Sequence, residues 1–312
     1  MSKNKIVITG GAGLVGQNLV PRLKASGYSQ IYVLDKHEIN LGILQKMHPD
    51  VHCRLVDLAE PGDWNSDFEG TFAVVLLQAQ IGGLNNDDFV KNNVNATELI
   101  LQAAKNYGVA RIIHVSSSVV ESVANDSYTV TKRSQEHLVA ASDISNVILR
   151  PTLMFGWYDR KHLGWLSRFM AKIPVFPVPG RGLYTRQPLY AGDFCRIIVR
   201  CIEDLDITGA FNISGQERIT YKDLVREMKR ATGSHAAIVS LPYPIFYGLL
   251  WLWSLFDRNP PFTTQQLKAL VADDQFEVID WPSIFDVVYT PLSLALEETF
   301  CHDEYSDVVL EF

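Results

Sequence analysis

Thr9-Gly10-Gly11-Ala12-Gly13-Leu14-Val15-Gly16 is the stretch that decides the fold of this 312-residue chain. It follows an apolar run, Lys5 to Thr9, that reads as a strand, and it opens a helical pattern from Leu14 to Ser26. Gly10 permits a tight turn, Gly13 lets backbone approach a pyrophosphate, and Gly16 allows close helix–strand packing. At Leu14 and Val15 the helix N-terminus offers free N–H groups and a positive dipole end to phosphates. A glycine pattern alone is weak, since a structural turn has the same composition. The strand before it, the helix after it and its place at the start of the chain make it a dinucleotide site.

Outward from that turn, strands alternate with helical patterns. Gln30–Asp35, Val51–Val56, Thr71–Gln78, Arg111–Val115 and Asn146–Arg150 read as strands. Leu41–Met47, Asn92–Tyr107 and Asp126–Ser142 read as helices between them. This order predicts an α/β chain with a Rossmann-type, doubly wound parallel sheet. Residues 1–150 are expected to form the dinucleotide-binding domain. Residues 151–312, broken by Pro and Gly, are expected to form a smaller C-terminal α/β substrate domain, with about 185–215 returning to the first. Asp35 ends the second strand, where a carboxylate can accept from the adenosine ribose and repel a 2′-phosphate. NAD is therefore expected over NADP, with Lys36 beside it partly offsetting the repulsion. The bland alternative for Asp35 is a turn or capping residue.

The chain is 47% hydrophobic and 20% charged, with a net charge of −7. It can bury a core, and its acidity argues against nucleic acid as a polymer. The charge is uneven: Arg150–Arg200 carries nine basic and two acidic residues, while Glu297–Phe312 carries six acidic residues and no Lys or Arg. Cys53, Cys195, Cys201 and Cys301 are far apart and lack metal spacing, so neither a disulfide framework nor a metal is expected. With no targeting signal read at the N-terminus, a cytoplasmic protein is expected. Ile245–Phe256, IFYGLLWLWSLF, is too short to span a bilayer. It reads as a core or substrate-domain helix, with peripheral membrane contact as the minority alternative.

With Gly10, Gly13 and Gly16 three apart, the pattern resembles the extended short-chain dehydrogenase/reductase superfamily, in its NAD-dependent epimerase/dehydratase branch. TGGAGLVG at 9–16, Asp57-Leu58, Asn95, SSS at 116–118, YTVTK at 128–132 and Arg150-Pro151 carry the resemblance, which covers nearly the whole chain. It implies NAD as cofactor, a homodimer, and cofactor contacts at Asp57, Leu58, Gln78, Ala79, Gln80, Asn95, Ser116 and Pro151. Three departures stand out. Ten positions separate Ser118 from Tyr128, Gln78 stands where His is frequent, and Val119-Val120 replace the carboxylate of dehydratases.

Tyr128 and Lys132 are four apart on a helical stretch and share a face. An ammonium there is expected to lower the phenol's pKa, so that Tyr128 can take or give a proton as hydride moves. Ser118 falls at the family's catalytic hydroxyl position, with Ser117 as runner-up. His114, inside an apolar strand, reads as a satisfied core histidine. On the substrate side, Gly82 allows a close backbone approach. Arg186 is the first candidate for a substrate diphosphate and Arg181 the second, while Asp193 reads as a helix cap. The expected activity is epimerisation of a nucleotide-sugar through a keto intermediate. Its alternatives are a dehydrogenase/ketoreductase of a nucleotide-sugar or of a steroid- or isoprenoid-like alcohol, and a non-catalytic NAD-binding subunit.

Overall fold

A computed structural model describes residues 5–256, 263–271 and 276–311 of the chain. In its first half, β1 (Lys5–Thr9), α1 (Leu14–Ala25), β2 (Gln30–Asp35), α2 (Glu38–Met47), β3 (His52–Leu55) and β4 (Ala73–Leu76) follow one another. Then come α3 (Asn86–Phe89), α4 (Ala96–Asn106), β5 (Arg111–Val115), α5 (Ser127–Ala140) and β6 (Ser145–Pro151). The second half holds β7 (Met154–Phe155), α6 (His162–Lys172), β8 (Val175–Pro179), β9 (Thr185–Arg186), β10 (Leu189–Tyr190) and α7 (Ala191–Glu203). It continues with β11 (Gly209–Ile213), β12 (Ile219–Thr220), α8 (Tyr221–Thr232), β13 (Ala237–Leu241) and α9 (Tyr243–Ser254). Helices α10 (Thr264–Val271), α11 (Trp281–Phe285) and α12 (Leu292–Cys301) complete the described chain.

The main sheet runs β11-β6-β5-β4-β1-β2-β3, with every neighbouring pair parallel. Its central strands are apolar without alternation because both faces are covered. Leu19 and Leu23 of α1 and Ile198 and Ile202 of α7 cover one face. Ile100 and Ala104 of α4 and Val139 of α5 cover the other. The Rossmann-type expectation is met, and β11 from the second half completes the sheet. A separate core joins Met170 of α6, Val178 of β8, Leu224 and Met228 of α8, and Leu296 of α12.

Two local expectations change. Asp193 lies inside α7, not at its cap. Its carboxylate is buried, pairs with Arg196 and accepts from the Thr290 hydroxyl at 2.7 Å. The second concerns α9, which buries none of its residues, so it is no core helix. Trp251 is 55% exposed and Phe256 is 84% exposed. Among the described residues no helix is long and apolar enough to cross a membrane.

Candidate active site

Gly10 takes the left-handed backbone, φ 68°, at the end of β1. A Cβ on it would lie 2.4 Å from the Cα of Gln78, so the turn can pass over the segment just beyond β4 only without a side chain. A Cβ on Gly16 would lie 2.1 Å from the Gly11 carbonyl oxygen, so α1 closes onto its own turn only without a side chain there. Around Gly13 the nearest atom to such a Cβ is 3.9 Å away, and Gly13 caps α1 with no side chain over the helix end. The first N–H groups of α1 have no intrahelical acceptor and face this open cradle.

The cradle is one wall of a cavity of about 470 Å³ lined by Gly10, Gly13, Leu14, Val15 and Gly16. That volume is within the usual ~300–1,000 Å³ of small-molecule sites. Asp35 and Lys36 line it from the end of β2, Asp57 and Leu58 from beyond β3, and Gln78, Ala79 and Gln80 from beyond β4. The Asp35 carboxylate accepts from Ala12 N at 2.8 Å and from His37 N at 2.9 Å, so it is a turn-holder as well as a ribose candidate. Lys36 is held on Asn92 at 2.5 Å, and Asp57 accepts from Ala59 N at 3.1 Å. The Gln78 amide is engaged inward, accepting from Thr9 Oγ1 at 2.6 Å and donating to Thr97 Oγ1 at 3.2 Å, so only its remaining surface meets the cavity.

Asn95 is exposed and stands outside this lining. Val90–Asn95 is wound as a π-helical turn, which displaces the register on which a regular helix would carry that residue. Asn92 lines the cavity instead. Asn93 is buried, accepts from Gln80 N at 2.6 Å and donates to Thr131 at 2.9 Å. The sequence reading also missed Tyr158, Asp159, Arg160, Lys161 and His162, which line the cavity after β7, and Leu310, which lines it from the tail. The reversal at Tyr158, φ 67°, brings that basic run back over the site. The run YDRKH was its sole sequence signal.

At the end of β5, Val115 lines the cavity, and its carbonyl accepts from Lys132 Nζ at 3.0 Å. Ser116 is buried, and its hydroxyl has no hydrogen-bond partner among the described residues. Helix α5 is capped by Asp126, which accepts from Thr129 N at 3.0 Å and so fixes where Tyr128 and Lys132 point. The Tyr128 phenol is pushed up from its ordinary pKa by burial. The Ser117 hydroxyl beside it pulls the other way, and Asp126 adds to the rise. This differs from the expected lowering by Lys132, whose ammonium is turned to the β5 backbone and is itself pulled down to about 7 by burial. Ser118 opens a single 3-10 turn, with no side-chain hydrogen bond among the described residues. The hydroxyl next to the phenol is thus Ser117's.

Pro151 ends β6 and is buried. Gly82 is exposed, and its carbonyl accepts from the Gln80 side chain. Arg186 is 7% exposed, packs over the Tyr184 ring at 5.1 Å and donates to Thr185 O at 2.7 Å, whereas Arg181 is exposed. None of Pro151, Gly82, Arg181 or Arg186 lines the 470 Å³ cavity, and neither Tyr128 nor Lys132 does.

Residues 6–214 match the NAD dependent epimerase/dehydratase family. The chain belongs to that family. It is an NAD-dependent enzyme of the epimerase/dehydratase type, and NAD is its cofactor. The residues present fit that group: an open cradle at Gly13, an unpartnered buried hydroxyl on Ser116 and a carboxylate at the end of β2. The chain is 29% identical over 218 residues to "NADH dehydrogenase [ubiquinone] 1 alpha subcomplex subunit 9, mitochondrial" of Mus musculus, covering 68% of this chain and only 56% of the mouse protein. It is 24% identical over 263 residues to the ceramide reductase of Caulobacter vibrioides, covering 82% of this chain and 78% of the reductase. Among solved structures, UDP-glucuronic acid 4-epimerase from Bacillus cereus in complex with NAD superposes with a TM-score of 0.65 at 26% identity, over 76% of this chain and 87% of that one.

Proposed function

We propose that the chain is a nucleotide-sugar epimerase working through a transient ketone on the sugar. The observation that carries this reading is the Tyr128 phenol set beside the Ser117 hydroxyl, just beyond β5, whose last residue Val115 lines the cofactor cavity. When bound, NAD supplies hydride transfer and, in its oxidised form, a positive charge opposing the effect of burial on that phenol. Tyr128 takes the sugar hydroxyl proton and gives it back. The serine hydroxyl donates to the reacting oxygen and holds it against the phenol. Lys132 holds its ammonium on the Val115 carbonyl, one helical turn from that phenol. Gly10, Gly13, Leu14, Val15 and Gly16 hold the pyrophosphate, and Asp35 holds the ribose.

Arg186, fixed by Tyr184 and nearly buried, is the residue assigned to the substrate diphosphate, ahead of the exposed Arg181. A guanidinium matches phosphate oxygens two at a time. Gly82 lies on the loop that approaches the sugar. The absence of a carboxylate at Val119 and Val120 favours an epimerase, or a simple dehydrogenase/ketoreductase, over a dehydratase. A second reading, reduction or oxidation of a lipophilic alcohol, is favoured by the exposed apolar helix α9 and by the likeness to a ceramide reductase.

The test begins by denaturing the purified protein and identifying any released nucleotide. UDP-, dTDP- and GDP-sugars and hydrophobic alcohols are then offered, and products analysed. Tyr128→Phe is expected to lower turnover by at least about 100-fold while leaving NAD affinity unchanged, as removal of a general acid/base does. Undiminished turnover by that variant would overturn the assignment. Turnover of alcohols alone would establish the second reading, and turnover of neither class would overturn both.

A further inference from the structure

His114 is buried in β5 and stands outside the cavity lining. Neither of its ring nitrogens has a hydrogen-bond partner among the described residues, so it is a core histidine, as expected, but not a satisfied one. The cavity wall after β7 carries a fuller arrangement.

Arg160, Lys161 and His162 all line that cavity. Lys36, the remaining Lys or Arg of the lining, is held on Asn92, and the His37 ring accepts from Asn40 N at 3.3 Å. The basic run is thus the densest positive charge around the site among the described residues. Like charges on consecutive residues repel one another. Burial holds Lys161 below its ordinary pKa, and the Arg160 charge beside it adds to the effect. An anion set against the pair relieves both.

The run is fixed to the start of α1. A Cβ on Gly156 would lie 3.1 Å from Asn18 Oδ1, so the chain passes close over that side chain. Asn18 Nδ2 donates to Leu14 O and to Trp157 O, at 2.9 Å each. Leu14 is the first residue of α1, next to the turn that offers its N–H groups to the cavity. The chain then reverses at Tyr158, φ 67°, a left-handed conformation that an aromatic residue keeps only where its surroundings impose it. Asp159 is 8% exposed and turns its carboxylate onto the start of α6, accepting from Lys161 N at 2.9 Å and Gly164 N at 3.0 Å. Arg168 donates to Asp159 O at 2.9 Å and to Arg160 O at 2.7 Å. The backbone of the run is held from both α1 and α6 while its side chains line the cavity.

We propose that Arg160 and Lys161 clamp the pyrophosphate of the cofactor from a second wall, beside the glycine turn. Each phosphate of that group carries a negative charge, and the turn answers with neutral N–H groups. The run supplies the countercharge, Arg160 through a planar fork and Lys161 as a point charge. The proposal rests on the cofactor and on no reading of the substrate.

Calorimetric titration of the full chain with adenosine, ADP and NAD tests it without turnover. Lys161→Met and Arg160→Met keep an apolar stem and remove one charge each. Each variant is expected to bind ADP and NAD about tenfold more weakly, the scale of one charge-assisted hydrogen bond. Adenosine, which has no phosphate, should bind both as it binds the native protein. Lys172→Met removes the same charge from an exposed position of α6 outside the lining and should leave all three ligands unaffected. Lys161→Arg should keep the ADP affinity.

Native ADP and NAD affinity in both methionine variants overturns the proposal. So does an equal loss for adenosine, which marks a distorted pocket, or an equal loss in Lys172→Met, which marks a general field. UDP is titrated last, into protein saturated with NAD. A loss confined to UDP overturns the clamp and gives the run to a substrate phosphate.

Discussion

Two residues at the end of β5 compete for one role. Family position points to Ser118, while Ser117 places its hydroxyl beside the Tyr128 phenol. Ser117→Ala is expected to lower kcat about 100-fold, the usual scale for losing one donor to a developing oxyanion, with little change in KM. Ser118→Ala should stay within a few-fold of native. The reverse order, measured by steady-state kinetics, would return the role to Ser118. The residue types here were legible in the sequence because a Ser run before Tyr-x-x-x-Lys has few other uses after the fifth strand. Their orientation was not, since it depends on the 3-10 turn at Ser118–Glu121 and on how deeply α5 sinks. Depth also explains why the phenol's shift has the opposite sign to the one expected from spacing. Burial raises it, and the lysine that should lower it is occupied by Val115.

At the level of elements, apolar runs and glycines predicted β1, β2 and β5 to within a residue, because fully buried parallel strands have few sequence alternatives. The π-turn at Val90–Asn95 was hidden, since a helical hydrophobic pattern does not reveal an inserted residue. Helix α9 shows the opposite limit, where the sequence announces an apolar helix and cannot say what meets it. The helix carries no charged residue, with Ile245, Leu249 and Leu252 on its exposed surface and Tyr243 and Tyr247 paired at 6.2 Å. Aromatic and aliphatic side chains together suit the boundary between headgroups and acyl chains. We propose peripheral membrane contact through 245–256. The native protein is expected to float with phosphatidylcholine vesicles in a density gradient, and a Leu249→Asp, Trp251→Asp variant to remain at the bottom with its cofactor affinity intact. Equal behaviour of the two proteins would dismiss the contact.

Across the whole molecule, the tail closes the site that the first turn opens. The sequence reading found six acidic residues from Glu297 onward and no reason to place them near a cofactor. In the structure Tyr305 packs on Trp157 at 4.6 Å and Leu310 joins the cavity wall. Asn40 of α2 clasps Glu311 through both backbone groups, at 2.8 and 3.0 Å. Contacts between residues 40 and 311 leave no local pattern to read, because neither end carries the other's periodicity. The consequence is a coupling between tail and cofactor. Leu310→Asp puts a carboxylate into the wall near Asp35 and Asp57, where it opposes a pyrophosphate and gives up apolar packing. Fluorescence titration is expected to show NAD binding at least about tenfold weaker, a cost of about 1.4 kcal/mol. The melting temperature of the free protein should fall by only a few degrees, since Tyr305 and Leu310 lie outside the three large cores. Asn40→Ala, which removes the clasp and adds no charge, should weaken NAD in the same direction by a smaller factor. Native affinity in both variants would mean that the tail covers the cavity without shaping it.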